Sequence, residues 1–458
     1  MYATYIPKFL ELIPPTLDSS FLRSPSDFSR DRKLPFDKLF TFILSLTTNS
    51  NNKGVDIKCS EFFKISRRNG LWPDAKSVHR SAVTKGRKKI PWQVFEKVHN
   101  DAVELAYEIW PDNEENTWNG KSVYAFDGAK FLLPATDEIR SLFDPNSGLE
   151  HEGKGHYPQC LVTTAYDVFR RFPVGRVVSP LESSEREVVL PLISKIPPGN
   201  ILLFDRGYPG FEFFKYLNDH YDGDYLFRSP ATGSFIEIKK FINSQKKEDV
   251  ILIEPSGNFI VNGATDAQRE ERRKTTPIKL RVIRMQAPDG TLSVLLTSLL
   301  DDQQYPAKEI IKLYFERWEI ETYYRHEKTY IQLEEFHSRS VNGILQELFA
   351  SLIVSVIAAT LMTIAYETAW TEEDKPALEK SVIRLQFKNA VMTVASDAAF
   401  LAARDPEKVV EVFGELLEEI RRVKYYKPKI PIKTKPRVSL KPINKWTRKK
   451  QKRINGEL

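Results

Sequence analysis

Two aspartates stand where short apolar runs end. Asp127 follows Ser122–Phe126 (SVYAF) and precedes Gly128. Asp205 follows Ile201–Phe204 (ILLF) and opens the run Asp205-Arg206-Gly207-Tyr208. Runs of this composition predict buried strands. Both carboxylates then fall at the carboxyl end of a strand, where α/β sheets gather their ligands. A bare carboxylate there is costly unless it is paired or bound to a cation. Mg²⁺ takes hard oxygen ligands, usually one or two carboxylates completed by substrate phosphate. Either aspartate alone suits a turn or a helix cap equally well.

A third group is more specific. Tyr314, Arg317, Glu321 and Lys328 keep a fixed spacing within LYFERWEIETYYRHEKT. On an ideal helix at ~100° per residue they project within an arc of roughly 60° and spread over ~21 Å. A central carboxylate is thus preceded by phenolic and basic groups and followed by a lysine. That order suits a metal ligand flanked by groups that grip successive phosphates along a strand. An i,i+4 ion pair between Arg317 and Glu321 on a solvated face explains two of the four residues but not the full spacing. A chance match to four fixed residues is on the order of a few per thousand.

These pieces together resemble a known family. The Tyr–Arg–Glu–Lys spacing matches the YREK signature of bacterial insertion-sequence DDE transposases of the IS-four-like group. Asp127 in FDG looks like that family's first catalytic aspartate, Asp205 in DRGY like its second, and Glu321 like its glutamate. The resemblance covers roughly residues 35–368. It implies an RNase H-like fold with a β insertion between the second aspartate and the glutamate. It also implies a transposase that cuts transposon ends and joins them to target DNA, with Tyr314, Arg317 and Lys328 holding the DNA end. Two Mg²⁺ ions (Mn²⁺ substituting) would sit on Asp127, Asp205 and Glu321, ~3.5–4 Å apart. Trp318 in the same run, and Lys154 and His156 in the Gly-rich loop GLEHEGKGHY, complete the expected DNA-contacting set. Family members act as dimers within a DNA complex. Those that pass through a DNA hairpin often stack a flipped base on a Trp of the insertion. Here the tryptophans are at 72, 92, 110, 118, 318, 370 and 446, so none lies within 233–305. An RNase H-like nuclease that cuts without joining would share the carboxylates. A domesticated descendant that only binds DNA is a further alternative.

The elements that must position these groups form an α/β pattern. Residues 1–115 read as a helical, DNA-binding domain. Between Lys58 and Lys97 there are eleven Lys or Arg against three Asp or Glu, which suits a helix-turn-helix-like reader. Residues 116–232 read as the first part of a mixed-sheet catalytic core, with strands at 122–126, 160–165, 176–178, 201–204 and 224–227 and helices at 184–196 and 211–220. Residues 233–305 read as a β-rich insertion, with short runs at 235–242, 250–253, 280–285 and 292–297. Residues 306–370 return to the core through one long helix to about Leu333 and a second, apolar one. Residues 371–422 read as C-terminal helices (376–402 and 406–421), and 423–458 as a basic flexible tail broken by Pro428, Pro431, Pro436 and Pro442.

Composition narrows the field. The chain has 458 residues, 41% of them hydrophobic and 12% aromatic, which supports large cores rather than disorder. The net charge is +7, yet Arg421–Arg453 alone holds fifteen Lys or Arg and no acid, so the rest is net acidic. A tail this basic is an electrostatic footprint for a polyanion. Two cysteines without metal-type spacing exclude a disulfide framework and a Cys-rich zinc site. Met1–Ile13 lacks the charged start and apolar core of a signal peptide. Leu348–Tyr366 has no charged residue and approaches the ~20 residues that span a bilayer. It also carries Ser and Thr and has no close basic flank, so it reads as a buried core helix. A cytoplasmic, nucleoid-associated protein acting on DNA, with no membrane, is the expectation.

Overall fold

The computed structural model describes residues 4–29, 33–48, 53–146, 157–231, 235–255, 265, 275–286, 290–366 and 381–428. Lys154, His156 and the tail beyond Pro428 lie outside the described residues.

Eight strands form one sheet: β1 Val123–Leu132, β2 Gln159–Asp167, β3 Phe172–Pro180, β4 Ile201–Phe204, β5 Asp224–Pro230, β6 Glu248–Ile253, β7 Ile278–Gln286 and β8 Leu292–Thr297. Their order is β3-β2-β1-β4-β5-β8-β7-β6. β1 and β3 flank β2 antiparallel, while β1, β4 and β5 run parallel. This mixed five-strand block is the α/β arrangement that the RNase H-like expectation requires. All four residues of β4 are buried, as a parallel strand covered on both faces must be.

The segment after β5 differs from the expected β insertion in two ways. Phe235–Ile242 is not a strand; a helix occupies Ile236–Asn243. Its apolar residues alternate at first, but Ile238 and Phe241 recur at helical spacing and are buried in the core beneath the sheet. The three strands that follow continue the central sheet, with β8 paired to β5. The segment therefore widens the core.

The expected helix at 184–196 is two short ones, Glu185–Val188 and Leu190–Ile193, because Pro191 removes a backbone donor. The long helix expected over 306–333 is also broken. Its parts are Ala307–Glu316, Trp318–Arg325 and a π-helical turn, His326–Ile331. The break falls at Arg317, whose N–H bonds to Tyr314 three residues back. The turn closes at Gln332 in the left-handed region (φ 56°). Residues 381–385, expected to be helical, are a strand that pairs antiparallel with Lys424–Pro428 in a ribbon of its own. Ile383 and Leu385 are buried, and the β-branched pair Val382-Ile383 favours a strand.

The apolar helix spans Val341–Tyr366, and 89% of its most apolar window is buried within the protein. Helices Phe36–Ser45 and Gln93–Ile109 pack on it. Trp92 stacks on Phe349 at 5.2 Å, and Arg87 pairs with buried Glu347 at 2.7 Å. Burial among protein side chains accounts for its composition.

Candidate active site

The first two carboxylates are placed by the register of the parallel pair. β1 and β4 pair from Val123↔Ile201 to Ala125↔Leu203. Phe126 and Phe204 then stack at 5.0 Å. One residue further, Asp127 and Asp205 come opposite each other where β4 has ended. Asp205 stands at the carboxyl end of its strand as expected. Asp127 does not: β1 runs on to Leu132, held by β2 through Asp127↔Thr164. Its exposed flank exists because β4 is shorter. Asp205 is oriented by its own loop, its Oδ1 accepting the Gly207 N–H at 2.7 Å.

Helix Trp318–Arg325 lies over this edge of the sheet. The hydroxyl of Tyr324 donates to the backbone oxygens of Asp127 and Val162. Beneath, Glu327 is fully buried; it accepts from Arg176 of β3 at 2.7 Å and from Tyr323 and Ser351. The π-helical turn thus anchors the helix to the sheet and the core helix.

Glu321, Asp205, Arg317, Tyr314, Arg228 and Arg206 line a cleft of about 280 Å³, with Trp318 at its edge. Glu321 accepts from Arg317 at 2.5 Å. Tyr314 and Arg317 are buried at 2% and 5% exposure, so they form the cleft floor. Trp318 is half exposed and rests edge-on against Phe315. Lys328 leaves the common face: its ammonium bonds to the backbone oxygen of Lys130, pairs with Glu334 at 3.5 Å and lies over the Phe131 ring. The π-turn after Arg325 changes the residues per turn, so the ideal-helix arc holds only as far as Glu321.

The electrostatics reflect burial of a carboxylate among charged neighbours. Burial pushes the Asp127 carboxyl up to about 7; Arg317 opposes this, while Asp205, Glu321 and Glu185 add to it. Among the described residues no three of Asp, Glu, His or Cys are drawn into a closed cage. Glu321 is paired with Arg317. The oxygen-only donor set and the strained ionisation of Asp127 both fit a divalent cation.

Several contributors were not legible in the sequence. Arg228 follows the apolar run Tyr225–Phe227 within β5 and is held by Ser293 at 3.1 Å, which only the β5–β8 pairing brings about. Tyr324 sits in the run TYYRHEK but carries no spacing of its own. Glu185 gave no signal.

A family model described as "Transposase DDE domain" matches residues 118–357, just over half of the chain and the stretch that holds β1, β4 and the Glu321 helix. The chain belongs to this family and is a DNA transposase of the DDE class, a polynucleotidyl transferase. It is similar to transposase InsG for insertion sequence element IS4 of Escherichia coli (strain K12), 24% identical over 336 residues, which are 71% of this chain and 69% of InsG. A cryo-EM structure of the piggyBac transposase synaptic complex with hairpin DNA aligns over 97% of this chain and 89% of its own, with a TM-score of 0.42 and 10% identity.

Proposed function

We propose that this transposase cuts transposon ends and joins them to target DNA at the cleft beside Asp127 and Asp205. The observation that carries this reading is the placement of two aspartates opposite each other at the end of a parallel strand pair, under a helix that presents Glu321. Asp127, Asp205 and Glu321 would hold divalent cations, Mg²⁺ or in its place Mn²⁺. When bound, such ions polarise a phosphate and activate water or a DNA 3′-hydroxyl for in-line displacement.

The chain's own side chains do the rest. Asp127 must lose its proton to serve, and Arg317 favours that loss. Arg317, released from Glu321, can bind a phosphate through two N–H groups. Arg228 and Arg206 extend the positive floor along the same cleft. The buried Tyr314 hydroxyl lies beside the Arg317 guanidinium and supports it from the cleft floor. Trp318 offers an exposed face for a base. Lys328, Lys154 and His156 are proposed as further DNA contacts. The substrates are the terminal inverted repeats and target DNA in the cytoplasm, bound by a dimer, with the helices of residues 1–115 and the basic tail as further DNA-binding parts.

A strand-transfer assay tests this reading. Precut ends carrying the inverted repeats that flank the coding DNA are mixed with supercoiled target and Mg²⁺. Joined products are expected. Cleavage of intact ends without joining would instead assign a nuclease.

A further inference from the structure

The loop from Asp205 to Gly210 joins β4 to helix Phe211–His220 and carries the second aspartate. Arg206 and Gly207 are exposed, so burial does not fix the outer backbone of this loop. Its inner side is fixed by Tyr208, which is fully buried against Phe204 and Phe213 at ring distances of 5.3 and 6.0 Å. The Tyr208 hydroxyl donates to the carboxylate of Glu185.

The outer side is held by Arg186, the next residue of the short helix Glu185–Val188. Its Nη2 donates to the Gly207 oxygen at 3.0 Å and to the Pro209 oxygen at 2.9 Å, and its Nε donates to the Gly207 oxygen at 3.2 Å. These two oxygens flank Tyr208 in sequence, so one rigid, planar fork spans the turn. Room is left for it, since a Cβ on Gly210 would lie 3.0 Å from Nη1. The N–H of the same Gly207 donates to Asp205 Oδ1 at 2.7 Å. Gly207 therefore links the two side chains, its oxygen bound to Arg186 and its N–H to the carboxylate. Hydrogen bonds with a charged partner are the stronger kind, and both ends of this relay have one. A surface arginine with no such task would leave its donors to water.

We propose that Arg186 is a positioning residue for strand cleavage, acting on Asp205 through Gly207. Without it the loop keeps its Tyr208 anchor, but the Gly207 backbone is free to turn and Asp205 loses its orienting N–H. This rests on the reading of Asp205 as a residue of the cleavage site. The test measures single-turnover cleavage of DNA ends at saturating protein, end affinity by gel shift, and thermal unfolding. Arg186→Ala is expected to cleave about tenfold more slowly, because small misplacements of reacting groups cost heavily in rate. End affinity and unfolding temperature are expected to stay close to the parent's, because the side chain is exposed and Tyr208 keeps the loop docked. Arg186→Lys, whose ammonium lacks the fork, is expected to recover part of the rate. Glu187→Gln, one position on, is expected to cleave as the parent does. If Arg186→Ala loses end affinity yet cleaves at the parent's rate once saturated, the arginine is a DNA contact and the proposal is overturned. Parent-like cleavage by Arg186→Ala beside an inactive Asp205→Ala also overturns it and leaves the cleavage site standing. Should Arg186→Ala fail to fold, Arg186→Lys carries the comparison, and a parent-like rate overturns the proposal. If Asp205→Ala cleaves normally, both readings fall together.

Discussion

The hydroxyl of Tyr324 donates to the main-chain oxygen of Asp127 at 2.9 Å, and to that of Val162 at 3.0 Å. Glu321 sits three residues earlier on the same helix. One phenol therefore ties the helix of the third carboxylate to the strand of the first. Tyr324→Phe removes both bonds and keeps the ring against Phe131. The expected stability loss is about 1 kcal/mol, the usual worth of such bonds. The expected loss of strand cleavage is larger, roughly tenfold or more, since small misplacements of reacting groups cost heavily. Denaturant unfolding and single-turnover cleavage, measured side by side, check the split.

Asp127 gives a pH prediction. Its carboxyl is raised to about 7 by burial first and then by Asp205, Glu321 and Glu185. A raised carboxylate contributes no penalty at low pH, where folded and unfolded states both carry the proton. The penalty grows as pH rises above the ordinary aspartate value near 3.9 and is complete above about 7. In EDTA the parent should therefore lose stability between about pH 4 and 7 relative to Asp127→Asn, by on the order of 1–3 kcal/mol. Mg²⁺ should restore the parent and leave Asp127→Asn unmoved. Thermal unfolding across pH with and without Mg²⁺ measures this. Equal pH curves in EDTA would contradict it. Arg317→Ala, which removes the group that favours ionisation, should move the acid limb of cleavage to higher pH.

The buried pair Arg176–Glu327 holds the π-helical turn, with both side chains at 0% exposure. Glu327→Gln leaves the arginine charge buried without a counter-charge and should cost about 3–5 kcal/mol. Replacing both residues with leucine should cost less, because the uncompensated charge is gone. Urea denaturation of the two variants decides the order.

Trp318 is 46% exposed at the rim of the cleft. Trp318→Ala should weaken binding of a DNA end with an unpaired terminal base by about 1–3 kcal/mol, the worth of one stacked base. Fully paired duplex should be affected less. Fluorescence anisotropy with the two DNAs separates stacking from a general loss of contact.

The core strands were readable because their buried residues form short apolar runs, and Asp205 because it follows one of them at once. What was unreadable depends on partners distant in sequence. The end of β4 exposes Asp127, yet nothing near Asp127 says that its own strand continues to Leu132. The helix over Ile236–Asn243 begins with a strand-like alternation, and only packing beneath the sheet resolves it. The π-turn at His326–Ile331 redirects Lys328, and ideal-helix geometry has no means of anticipating it.

The most direct test is metal-dependent cleavage of DNA ends by single carboxylate variants that still bind the same DNA. Asp127→Ala, Asp205→Ala and Glu321→Ala are each expected to retain end binding by gel shift while losing detectable strand cleavage in Mg²⁺. Normal nicking by Asp205→Ala under those conditions would contradict the placement of the chemistry in this cleft.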